Sequence, residues 1–201
     1  MKKINSVYCS LISGLLITSS LYMNIASAAE GTESLKLDVI TTVTAGTCKV
    51  KLMVDKVENN TVAFGDVYTS EVVNESKSKS FSLIFSECES VNSGQAKITL
   101  RPKSGVSCDA AGAGNAFANT VTGAGSASAV AVAIRTKSDP KDASGEPLNC
   151  GSPVQKTVRI SPTADTEWPL NARLVVAAPN SSDAVTAGSF SSQGTFNIVY
   201  E

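Results

Sequence analysis

The sequence predicts an all-β protein, an antiparallel β-sandwich of immunoglobulin type. Three observations carry that expectation. Apolar residues recur with a period of two in many short runs, Gly, Asn, Pro and Asp break the chain between them, and hardly any stretch reads as helix. The clearest run lies at Gly188 to Glu201. There Phe190, Phe196, Ile198 and Tyr200 share one parity, while Ser189, Ser191, Gln193, Thr195 and Asn197 take the other. One face of such a strand is apolar, and that face and its backbone edge need cover to avoid aggregation.

Taken in order, residues 1–28 read as a secretory signal peptide. Lys2 and Lys3 precede an apolar stretch from Leu11 to Ile25, and Ala26-Ser27-Ala28 supplies a small-residue cleavage site. The apolar stretch is too short for a membrane anchor, so no direct membrane insertion is expected. Residues 29–44 form an extension with a small polar lead, Ala29 to Ser34. In it Leu35, Leu37, Val39, Thr41 and Val43 share one parity against Lys36, Asp38, Thr42 and Thr44, with Ile40 the exception.

Residues 45–201 make one domain. Its first strand is Cys48, Val50, Leu52 and Val54 alternating with Lys49, Lys51 and Met53. Val62 and Phe64 predict a second, ended by Gly65-Asp66. Phe81, Leu83 and Phe85 run into Cys88, and Ala96, Ile98 and Leu100 stop at Arg101-Pro102. Val130, Val132 and Ile134 follow, then Val154, Val158 and Ile160, then Leu170 to Val176. The Gly/Ala/Ser-rich piece from Ala110 to Ala129 reads as a flexible surface loop. Trp168 reads as a packing residue rather than a carbohydrate platform.

Four cysteines remain after the signal peptide: Cys48, Cys88, Cys108 and Cys150. An even number in an exported chain predicts two disulfides. Three pairings are open, and Cys48–Cys88 with Cys108–Cys150 is the one we favour. Each closes a loop of about forty residues, for which chain entropy gives roughly 4 kcal/mol. Their irregular spacing and the absence of histidine argue against a metal site, and no cofactor is expected. Without histidine, a Ser-His-Asp or Cys-His arrangement is impossible within the chain, and no pair of carboxylates stands out, so the protein is read as a non-enzyme. A mildly acidic chain with no basic patch gives no sign of a nucleic-acid partner.

Several segments together resemble the pilin subunits of chaperone–usher, type 1-like fimbriae of Gram-negative bacteria. They are the alternating extension ending in Gly46-Thr47-Cys48-Lys49-Val50, Cys88 just after Phe81 to Phe85, Asn115 to Thr120, Val130 to Ile134, Trp168 to Arg173, and Gly188 with Tyr200 bracketing the last strand. The resemblance implies an incomplete immunoglobulin-like sandwich, completed by a donor strand from a chaperone and then from another subunit. Cys48 to Val54 already opens a sandwich that the terminal strand completes, which leaves the extension as a surplus strand.

On that resemblance Leu35, Leu37 and Val39 are the donor residues, while Gly188, Phe190, Phe196, Ile198 and Tyr200 belong to the acceptor groove and chaperone-binding strand. The Glu201 carboxylate is then the anchor for basic residues of a chaperone. Cys48 and Cys88 match the family's disulfide. Many relatives carry glycine seven residues before the first cysteine, where this chain has Thr41. The implied partners are a periplasmic chaperone, an outer-membrane usher and other fimbrial subunits. The implied function is that of a structural subunit of a surface fibre used in adhesion; the alternative is a minor adaptor or tip adhesin-type subunit that binds a host or carbohydrate receptor.

Overall fold

The computed structural model describes residues 46–91, 93–109 and 114–201. The signal peptide (1–28) and the extension (29–44), with Leu35, Leu37 and Val39, lie outside the described residues. Among the described residues, nine strands form two antiparallel sheets. The strands are β1 (Thr47–Val54), β2 (Val57–Glu58), β3 (Ser78–Glu89), β4 (Gln95–Pro102), β5 (Phe117–Ala118), β6 (Val130–Thr136), β7 (Lys156–Arg159), β8 (Thr166–Val176) and β9 (Gly194–Tyr200). One sheet runs β2-β1-β3-β8-β6-β5 and the other β7-β4-β9. A short α-helix, α1 (Thr69–Val73), starts where the Glu71 carboxylate accepts the Tyr68 N–H at 2.8 Å.

Alternation decides what the sheets enclose. Phe81, Leu83 and Phe85 of β3 and Trp168, Leu170, Ala172 and Leu174 of β8 point inward and are buried. They meet Ala96, Ile98 and Leu100 of β4 from the facing sheet, also buried. Trp168 is 9% exposed and packs edge-on against Phe196, ring centres 6.5 Å apart, so it is a core residue. The outer side of β8 is covered by the excursion after β6: Asn171 Nδ2 donates to Lys137 O at 2.9 Å and an Arg173 N–H donates to Pro140 O at 2.5 Å. Disulfides join Cys48 to Cys88 and Cys108 to Cys150. The first ties β1 to β3; the second ties the chain after β4 to the chain before β7.

Three expectations need correction. Val62 and Phe64 are in no strand: the segment pairs with no strand among the described residues, and both side chains are half-buried against the core. Val154 is 49% exposed and precedes β7, because it follows Pro153, which has no N–H to enter a ladder. The stretch before β6 is not a surface loop throughout. Phe117 is 2% exposed and bridges Cys108 beside the second disulfide. The buried Asp109 carboxylate accepts N–H groups from Ala116 at 3.0 Å and Ala178 at 3.1 Å. A disulfide and a buried carboxylate order this segment, and neither leaves a periodic signal in the sequence.

Candidate functional site: an open strand edge beside an apolar cleft

Among the described residues β9 sits at the end of its sheet, paired with β4 alone. Parity tells which of its main-chain groups are used. The Glu201 N–H donates to Gln95 O at 3.2 Å and Gln193 O accepts from the Lys103 N–H at 3.1 Å, so odd-numbered residues face β4. Gly194, Phe196, Ile198 and Tyr200 therefore turn their N–H and C=O groups to the other side, where no described strand lies.

The chain before β9 continues the pattern without continuing the strand. Ser189 exchanges bonds with Gly125 O (2.7 Å) and the Ala127 N–H (3.0 Å), and Ser191 does so with Asn119 Oδ1 (3.0 Å) and the Thr120 N–H (2.7 Å). The sequence reading placed one strand from Gly188 onward. In the structure the inner partner changes from the 119–127 segment to β4, so the ladder that defines β9 begins only at Gly194. The outer edge is nonetheless continuous. Even-numbered residues from Gly188 to Tyr200 leave their main chain unpaired among the described residues, over roughly 40 Å of extended chain.

Glycine is required at one end of this edge. A Cβ on Gly188 would lie 2.4 Å from both Ala127 N and Ser126 C, and the residue adopts φ +157°. Close approach of the two backbones is what the absent side chain allows.

Beside the edge opens a cleft of about 910 Å³. Its floor includes Leu100, Phe117, Val132 and Leu174, one bank carries Val62 and Phe64, and the other is Val185 to Gly194 with Phe196. The cleft explains an asymmetry in burial. Inward residues of β4 are buried, yet Phe196, Ile198 and Tyr200 opposite them are only half-buried, because no described strand covers their outer flank. The inward row reads Gly188, Phe190, Ser192, Gly194, Phe196, so it lacks bulk between the two phenylalanines. Ser192 Oγ is buried there with no hydrogen-bond partner among the described residues.

Gly188, Phe190 and Phe196 line the cleft together, while Ile198 and Tyr200 carry the same edge beyond it. The Tyr200 hydroxyl donates to Cys48 O at 3.4 Å, and burial raises its pKa above the ordinary tyrosine value. The Glu201 carboxylate pairs with Lys97, and the Ser93 N–H donates to Glu201 O at 2.8 Å, which pins the end of β9 to the chain before β4. The sequence reading missed Val62 and Phe64 as a groove wall, and Ser192 altogether. Ser192 shares the parity of Phe190 and Phe196, which was the available signal. Among the described residues no cluster of three or more metal-ligating side chains occurs, and no helix is long and apolar enough to cross a membrane.

A fimbrial protein family model matches residues 34–201. The chain is 36% identical over 196 residues to YadL, an uncharacterized fimbrial-like protein of Escherichia coli (strain K12), covering 94% of each chain. Among solved structures, the P pilus rod subunit PapA matches with a TM-score of 0.49 at 16% identity, over 77% of this chain and 99% of that one. The CupB6 tip adhesin of Pseudomonas aeruginosa matches with a TM-score of 0.43 at 15% identity, over 62% of this chain and 30% of that one.

Proposed function

The chain belongs to the fimbrial protein family, and we propose that it is a structural subunit of a chaperone–usher surface fibre, polymerising by donor-strand exchange to serve adhesion. The observation that carries this reading is the unpaired edge from Gly188 to Tyr200 beside an apolar cleft. A strand added there satisfies the free N–H and C=O groups, and its alternate side chains fill the cleft. The donor is the extension 29–44 of another subunit, whose Leu35, Leu37 and Val39 pack along the cleft and the edge that continues beyond it. From Leu35 to Val43 an extended chain spans roughly 30 Å, enough to run along most of the edge.

Before assembly, a periplasmic chaperone occupies the same edge and an outer-membrane usher receives the complex. The protein acts by shape and main-chain pairing rather than by catalysis, and it resides in a fimbrium at the cell surface after export directed by residues 1–28. Deleting residues 29–44 and coexpressing the remainder with the cognate chaperone tests the reading. The expected product is a soluble 1:1 complex that accepts a donor strand but cannot supply one. A truncated chain that folds alone as a stable monomer would refute it.

A further inference from the structure

The cleft holds one polar group that the fold itself does not satisfy. Ser192 Oγ is buried, has no hydrogen-bond partner among the described residues, and sits between Phe190 and Phe196 where the inward row has no bulk. A buried hydroxyl without a partner is costly, and the cost is removed when a donor or acceptor arrives with the occupant. The remaining inward residues of the edge are glycine or aromatic and aliphatic, so this is the one inward side chain that asks for a hydrogen bond.

The extension has a matching singularity. On the parity of its apolar residues it carries Leu35, Leu37, Val39, Thr41 and Val43, one hydroxyl among four hydrocarbon side chains. We propose that Thr41 of a second copy of this chain pairs with Ser192, and that this contact sets the register of the donor and favours another copy of the same chain as its source. The inference rests on the donor-strand reading and adds partner and register to it.

Direction follows from the length of the edge. With Thr41 opposite Ser192, an antiparallel donor sets Val43 against Phe190, Val39 against Gly194, Leu37 against Phe196 and Leu35 against Ile198. All five inward residues then meet the open edge, with Val39 beside Gly194. A parallel donor with the same pair would carry Leu35 past Gly188, beyond the edge. In the antiparallel register Ser192 and Thr41 are directly opposed, with Cβ atoms about 5 Å apart, within reach of a hydroxyl–hydroxyl bond.

A donor with a purely apolar inward face would leave Ser192 orphaned, and the groove would disfavour it. A two-by-two comparison tests this. The full-length subunit, held by its chaperone, is offered a labelled peptide of residues 33–45, and release of the bound peptide is followed by fluorescence. Peptide T41V on the native groove, and native peptide on an S192A groove, should each dissociate about tenfold faster. The T41V peptide on the S192A groove should return to within about threefold of native, because replacing both partners leaves no orphan. Native rates for both single changes, or two losses that simply multiply, overturn the pairing while leaving the donor-strand reading intact. Failure of even the native peptide to enter the groove overturns that reading itself.

Discussion

Gly188→Ala tests the account of the edge most directly. The added methyl would sit 2.4 Å from Ala127 N and Ser126 C and 2.7 Å from Gly125 O, all of them backbone atoms that cannot rotate away. Ordinary contact begins near 3.4 Å, so the two segments must part by about 1 Å. Separation on that scale breaks the bonds between Ser189 N–H and Gly125 O and between Ala127 N–H and Ser189 O. Two lost bonds at about 1 kcal/mol each, with a further 1 kcal/mol or so of strain, give a cost of about 3 kcal/mol. For a domain of this size that lowers Tm by about 9 °C. Gly123 is the control: its φ is +92°, but a Cβ there meets nothing within 4 Å. Gly123→Ala should therefore cost only the conformational penalty, about 1 kcal/mol. The assay is thermal unfolding of both variants with the groove filled, together with hydrogen exchange at the Ser189 and Ala127 amides. Equal Tm values, or unchanged protection of those two amides in Gly188→Ala, would refute the argument.

Two further outcomes follow from the same geometry. Replacing Cys108 and Cys150 together by serine should lower stability by about 2–5 kcal/mol, with exchange protection lost first around Phe117, whose bridge lies at Cys108; uniform loss across both sheets would argue against that location. Glu146 has its pKa lowered by the hydrogen bond from Lys156 and by that residue's charge. Its folded value lies below its unfolded one, so the bridge contributes above the unfolded pKa and is lost as pH falls through the folded pKa. A carboxyl titration followed by NMR should place the Glu146 midpoint below the ordinary glutamate range, and Lys156→Met should return it there; an unmoved midpoint would contradict the pairing.

What was legible in the sequence was what alternation encodes. The period of two placed β1, β3, β4, β6 and β8 and their buried faces, because inward side chains on a strand must be apolar wherever a second sheet covers them. The same period identified the apolar face of the last strand. It failed at Val62 and Phe64, where alternation occurs without a neighbouring ladder, and at Phe117, where a single aromatic carries no period.

Taken alone, then, the sequence determined the fold class, the two facing rows of core residues and a surplus strand-like segment with one hydroxyl on its apolar parity. Only the tertiary structure decided that the free edge runs past β9 to Gly188, since that depends on the inner partner changing from β4 to the 119–127 segment. It also decided which loops wall the cleft and that Ser192 is left without a partner. Side-chain pattern is local and is written in the chain, whereas which backbone groups remain unpaired depends on where distant segments come to lie.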